Sequence, residues 1–283
     1  MNSGDSGQNI VLVETQRVRG DSTEIFTDSL SVEEPLEIQI EVRIDGIRVK
    51  RSVAVTMRTP GNDSELATGF LFTEGIITKQ SDIGIITAEK NNIVKVVLND
   101  DVIVDFKSLD RHSFVASSCG VCGKKTIEAV MERCEYKVPT DTLTIASDVI
   151  SSLPGMLRSW QEDFDATGGV HASALFNSDG LLIDLREDVG RHNALDKLLG
   201  SQLLHDNLPL SQRILLLSGR ASFELVQKAA HAGITIVAAV GAPSSLAVEL
   251  AKNTGITLLG FVRDGRFNIY SGSERIKVSQ PAL

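Results

Sequence analysis

The residues best suited to chemistry are Cys119 and Cys122, in the run Ser117-Ser118-Cys119-Gly120-Val121-Cys122-Gly123-Lys124. With three cysteines in 283 residues, the chain cannot make a dense disulfide framework, and a C-x-x-C spacing suggests redox, metal or sulfur chemistry. Lys124 to Arg133 reads as a helix, which puts Cys122 at or just before its N-terminus. The positive end of a helix dipole and the neighbouring Lys124 and Lys125 both favour the thiolate, the form that attacks a sulfane sulfur or a disulfide, or binds a metal. Cys134, at the end of that helix, reads as a packed small residue.

A structural zinc site needs about four ligands. There is no second C-x-x-C, and the one obvious recruit is His171, in Thr167-Gly168-Gly169-Val170-His171-Ala172-Ser173. Zinc deaminases pair a His-x-Glu with a P-C-x-x-C. Here Ser173 stands at the glutamate position, no proline precedes Cys119, and the C-x-x-C comes before the histidine. Deamination is disfavoured and no tightly held metal is expected. His171 stays open as a site residue or a satisfied core histidine.

A second polar cluster, Glu187-Asp188-Val189-Gly190-Arg191-His192-Asn193, runs into the apolar-periodic Ala194, Leu195, Leu198 and Leu199. Pattern alone slightly favours a capped helix with a solvated first turn. Farther on, the apolar runs Arg213 to Leu217, Ile234 to Val240 and Ile256 to Phe261 alternate with helical segments, Ser222 to Ala232 and Ser244 to Asn253. Strands alternating with helices predict an α/β unit with a largely parallel, helix-covered sheet. The loops after such strands share one edge. They carry Ser218, Gly219, Arg220 and Ser222; Gly241, Ser244 and Ser245; and Arg263, Asp264, Gly265 and Arg266. Glycine admits close backbone approach, serine and helix N-termini donate hydrogen bonds, and arginine matches phosphate oxygens, so this edge suits an anionic ligand such as a nucleotide diphosphate.

The first half is strand-rich. Glu37 to Met57 alternates around an Asp45-Gly46 turn, Ile83 to Phe106 alternates around Asn91-Asn92, and a short helix is expected from Asn62 through Phe72. A helical region from Ser147 to Gln161 is expected to restart or kink at Pro154. The domain boundary falls near residue 140: residues 1–9 form a disordered N-terminus, 10–140 a β-rich domain ending in the C-x-x-C loop and helix, and 141–283 the α/β domain. At 42% hydrophobic and 23% charged, the chain reads as a soluble globular protein. Its net charge of -9 argues against general adhesion to nucleic acid or anionic membrane. Neither a signal peptide nor an apolar run of transmembrane length is evident, which gives an expectation of the cytoplasm.

With these residues in view, the chain resembles the FdhD family, the formate dehydrogenase accessory sulfurtransferases. The matching segments are Met57-Arg-Thr-Pro-Gly61 with Glu65-Leu-Ala67, Ser117 to Gly123, Gly168 to Ala172, Glu187 to Asp196, Ser218 to Ser222 and Gly241 to Ser245. The resemblance implies a carrier that takes sulfur from a cysteine desulfurase, holds it as a persulfide, and passes it to the molybdenum bis(molybdopterin guanine dinucleotide) cofactor for formate dehydrogenase. By position, Cys119 would bear the persulfide with Cys122 assisting or sharing it. Phe261, Val262, Arg263, Asp264, Gly265 and Arg266 would contact the cofactor, and His171 and His192 become candidates for lining its pocket. The resemblance further implies a cytidine-deaminase-like C-terminal domain and a homodimer. The rival readings are a zinc-dependent hydrolase of deaminase type and a non-catalytic chaperone of the molybdenum cofactor.

Overall fold

Gly20, at φ 59°, turns the chain between β1 (Ile10–Arg19) and β2 (Ser22–Ser31), an antiparallel ribbon whose side chains are mostly exposed. The structure is a computed structural model, which describes residues 9–89, 91–104, 136 and 143–278. Asp45 and Gly46 both take positive φ, 48° and 81°, as a two-residue hairpin turn requires, and join β3 (Glu34–Ile44) to β4 (Ile47–Arg58). Asn91 and Asn92, at φ 80° and 59°, do the same for β5 (Ile83–Glu89) and β6 (Ile93–Leu98). The four strands form a sheet in the order β4-β3-β6-β5, with β3 and β6 parallel. Period-two alternation puts Leu36, Ile38, Ile40, Val94, Val96 and Leu98 on one buried face. They share an apolar cluster with Leu66, Ala67, Leu71 and Phe72 of α1 (Asp63–Thr73).

After β7 (Ile145–Ala146), α2 (Ser147–Arg158) runs through Pro154 as one helix rather than restarting there. Ile150, Leu153 and Leu157 are buried on either side of the proline and hold both ends of the helix against a common apolar cluster. There follow α3 (Glu162–Thr167), β8 (His171–Phe176), β9 (Leu182–Asp188), α4 (Arg191–Leu204), β10 (Ile214–Leu217) and α5 (Phe223–His231). The described chain ends with β11 (Ile236–Ala239), α6 (Ser245–Thr254), β12 (Thr257–Arg263), β13 (Arg266–Ser271) and β14 (Ile276–Lys277), the last paired with β7.

The six-stranded sheet has the order β13-β12-β11-β10-β8-β9. It is parallel across β10, β11 and β12 alone, and antiparallel on both flanks, which corrects the expectation of a largely parallel sheet. Two hairpins cause this. Asn177 accepts the N–H groups of Asp179 and Leu181 in the β8–β9 turn, and Asp264-Gly265, at φ 53° and 71°, turns β12 into β13. Helices cover both faces: Leu215, Leu217 and Val237 pack with residues of α4, α5 and α6, while Ile214, Leu216 and Ile236 pack with residues of α2.

Helix α1 crosses α4 with backbones in contact. A Cβ on Gly69 would lie 1.8 Å from the Asp196 carbonyl oxygen, and one on Gly200 would lie 1.9 Å from that of Glu65. No side chain fits at either position. This crossing makes the apolar cluster continuous from the four-stranded sheet to the helices of the larger one, and it fixes α4, whose N-terminus enters the site described next.

Candidate functional site

Because β10, β11 and β12 are parallel, their carboxyl ends share one edge of the sheet. β8 runs antiparallel to β10, so His171 opens β8 on that same edge, and its partner Asp188 closes β9 there. Hydrogen bonds join the loops. Ala172 N–H donates to Ser218 Oγ at 2.8 Å, Gly241 N–H to Gly219 O at 2.9 Å, Phe261 N–H to Gly241 O at 3.0 Å, and Ser244 N–H to Ala221 O at 3.0 Å. A Cβ on Gly219 would lie 3.3 Å from His171 Nδ1, and one on Gly241 would lie 3.0 Å from Gly219 O and 3.1 Å from Arg220 N. These loops therefore approach one another through bare backbone. Phe261 sits at φ 55°, in a register irregularity between Gly260 and Arg263. A bulky residue rarely takes this conformation, and such strain clusters at functional sites.

Three helix N-termini meet the edge. Ser244 caps α6 by accepting the Ala247 N–H at 3.2 Å. Ser222 and Gly190, at the starts of α5 and α4, give no side-chain cap, so the positive ends of those two dipoles face the edge without one. Arg191 opens α4, and its buried Nε has no hydrogen-bond partner among the described residues. His192 Nε2 lies 3.5 Å from Ser222 Oγ and 3.3 Å from Glu224 Oε2. Serine and carboxylate share one ring nitrogen, whereas a nucleophilic triad needs them on opposite nitrogens; the cluster is not a hydrolase triad.

Burial is the largest cause of the lowered pKa of His171. The Arg191 charge adds to it and Asp188 opposes it. Burial also lowers His192, with Glu224 pulling the other way and Arg191, Lys228 and His171 reinforcing the fall. Both imidazoles are therefore biased towards the neutral form at pH 7. Beside His171 and Ser218 opens a cavity of about 420 Å³, walled by Leu157, Arg158, Gln161 and Phe164. Glu187 shapes that wall by accepting the N–H groups of Asp163 and Phe164 at the start of α3, at 3.1 and 3.2 Å.

The polar cluster at 187–193 is a half-buried brace centred on the buried Asp188 and Asn193, not the solvated first turn that its pattern favoured. Asp188 is fully buried; it pairs with Lys197 Nζ at 2.8 Å and accepts from Thr59 N, Gly190 N and Asn193 Nδ2. Lys197 also donates to Thr59 O at 2.8 Å, and Asn193 donates to Met57 O at 2.7 Å. Arg186 pairs with Glu65, and Arg58 pairs with Asp63 through two hydrogen bonds of 2.8 and 2.9 Å. The segment 57–67 is thus welded to the base of the edge.

The structure brings together His171, His192, Ser218, Gly219, Arg220, Gly241 and Ser244. Arg263, Asp264, Gly265 and Arg266 form an exposed hairpin tip beyond β12 on the same side. Val262 has its side chain wholly buried in the apolar cluster, so any contact it makes with a ligand is through the main chain. Cys119 and Cys122, and the helix expected after them, lie outside the described residues. Among the described residues no three His, Cys, Asp or Glu side chains are grouped as for a metal ion. Sequence reading missed Arg191 and Glu224 as edge residues. Arg191 was visible as the residue just after a glycine cap, and Glu224 as an acid in the first turn after Ser222.

A family profile described as FdhD/NarQ family matches residues 32–277, most of the chain. The chain belongs to the FdhD/NarQ family. Two relatives within this family make the point. The protein named sulfur carrier protein FdhD from Streptomyces coelicolor is 45% identical over 270 residues, covering 92% of this chain and 93% of its own. The protein of the same name from Sulfurisphaera tokodaii is 41% identical over 265 residues, covering 93% and 98%. A crystal structure described provisionally as that of a formate dehydrogenase accessory protein, from Desulfotalea psychrophila, superposes with a TM-score of 0.73. It is 26% identical and covers 95% of this chain and 99% of that one.

Proposed function

We propose that this FdhD/NarQ family member is a sulfur carrier that serves formate dehydrogenase. The observation that carries the reading is the near full-length similarity, at 41–45% identity, to proteins named sulfur carrier protein FdhD. On this reading Cys119 is the carrier. Its thiolate attacks the terminal sulfur of a persulfide on a cysteine desulfurase; the donor S–S bond breaks, a new one forms on Cys119, and the donor cysteine leaves as thiolate. The acceptor is the molybdenum bis(molybdopterin guanine dinucleotide) cofactor, bound as substrate. Cys122 then attacks Cys119 Sγ and releases the terminal sulfur as hydrosulfide towards the acceptor. That leaves a Cys119–Cys122 disulfide, which a cellular dithiol reduces, so the electrons balance.

The sheet edge supports the second half of this scheme. Two helix N-termini without side-chain caps, Arg191, Arg220 and close-packed glycines suit the diphosphates of such an acceptor. Phe261 and the tip at 263–266 would contact the same ligand, and His171, Ser218, Gly241, Ser244 and His192 would line its seat. The reading includes a two-domain chain divided near residue 140, a cytidine-deaminase-like layout for residues 141–283, a homodimer and a cytoplasmic site of action. Co-expression of Cys119→Ala with a formate dehydrogenase tests it. The activity of that enzyme is expected to fall to the level seen without the carrier; full activity would overturn the reading.

A further inference from the structure

A second polar link between the edge and the interior runs through Glu224, in the first turn of α5. Its Oε2 lies 3.3 Å from His192 Nε2, and its Oε1 lies 3.9 Å from Lys228 Nζ one turn along the same helix. Lys228 is buried and contacts both oxygens of Asp196 at 2.9 Å, as well as Thr73 Oγ1 at 2.9 Å. The chain His192, Glu224, Lys228, Asp196 thus runs from the edge into the core. Its inner end is fixed by a buried ion pair, so Glu224 is held from behind while it faces the imidazole.

We propose that Glu224 is a positioning residue that lets His192 take up a proton when an anionic acceptor arrives at the edge, so that the histidine meets the ligand as a charged donor. The proposal rests on the sulfur-carrier reading for the nature of that acceptor. Among the described residues the groups that act on the His192 charge are Arg191 on its own helix, Lys228 on α5 and His171 on β8, which oppose protonation, and Glu224, which favours it. Without a ligand, burial and the cations Arg191 and Lys228 keep the ring neutral, which avoids stacking a third positive charge there. An anion seated between the N-termini of α4 and α5 cancels the surplus, and the carboxylate at 3.3 Å then stabilises the imidazolium. Because Glu224 and Ser222 both approach Nε2, that nitrogen is anchored within the protein, which leaves Nδ1 for the ligand.

The test follows the His192 ring proton by NMR in the full-length protein from pH 5 to 8.5, with and without inorganic sulfate, a divalent anion that does not titrate in this range. In the wild type, sulfate is expected to raise the His192 midpoint by about one unit. Glu224→Gln is expected to lower the midpoint in the absence of sulfate by roughly half a unit, a modest figure because Glu224 is partly exposed, and to shrink the rise with sulfate. A merely structural role would leave both midpoints in place. The same midpoint in Glu224→Gln as in the wild type, or no response to sulfate up to 50 mM on the order of cellular ionic strength, would overturn the proposal. Sulfur loading of Cys119, read separately by mass, reports on the carrier reading alone, so the two can fail independently.

Discussion

Replacing Lys197 by methionine removes one half of a buried ion pair and leaves the other half in place. Lys197 and Asp188 are 1% and 0% exposed and meet at 2.8 Å, so the Asp188 carboxylate in the variant would lose its counter-charge with no access to water. Breaking such a pair from one side costs about 3–5 kcal/mol. Three hydrogen bonds to Asp188 survive, from Thr59 N, Gly190 N and Asn193 Nδ2, which places the expected loss near the lower end, at about 3 kcal/mol. Methionine fills most of the lysine stem volume, so little of the loss comes from a cavity. Urea denaturation followed by circular dichroism at pH 7.5 measures it, with the exposed Lys252→Met as a control expected within about 0.5 kcal/mol of the wild type. A Lys197→Met protein within about 1 kcal/mol of the wild type would refute the view that residues 187–197 brace the edge from inside.

Two further outcomes follow from other parts of the structure. Gly69→Ala drives a methyl group to 1.8 Å from the Asp196 carbonyl, where only backbone can yield; a loss of more than about 3 kcal/mol is expected in the same urea assay, and a wild-type midpoint would show that the helices do not cross so closely. His231 lies against Phe72 at 4.6 Å between ring centres, and burial holds its pKa down at about 4, from an ordinary 6.5. The folded state therefore demands the neutral ring. Its cost is absent above pH 6.5 and grows as pH falls towards 4, reaching about 2 kcal/mol at pH 5. Comparing wild type with His231→Phe at pH 7.5 and pH 5 isolates this from Asp196, whose carboxyl burial pushes up to about 6 in both proteins; equal pH-dependence in the two would contradict it.

Much of the architecture was legible in the sequence because local rules governed it. Asp45-Gly46 and Asn91-Asn92 announced hairpins through residues that tolerate positive φ, and serine-started, glycine-ended runs announced α5 and α6. The flanks of the larger sheet were misread for a physical reason. Asp264-Gly265 is as good a hairpin signal as Asp45-Gly46, but weighing it as a ligand contact hid β13, and Asn177 to Gly180 was passed over between two apolar runs. Asp188 could not be placed from its neighbours, because its partners Lys197 and Thr59 are nine and 129 residues away. A run of charged residues looks solvated until the fold shows which of its charges is buried and paired, as Asp188 is with Lys197. The edge itself was readable from three loops after three strands; what the sequence withheld was Glu224, whose role depends on α5 lying beside α4.

On the sulfur-carrier reading, Cys119 holds the sulfur. Incubating the full-length protein with a cysteine desulfurase and cysteine, then measuring intact and peptide masses without reductant, tests it most directly. A one-sulfur adduct of roughly 32 Da on the peptide containing Cys119, removed by dithiothreitol and lost in Cys119→Ala, is the expected result. An unchanged mass in the presence of an active desulfurase, or an adduct that persists in Cys119→Ala, would contradict it.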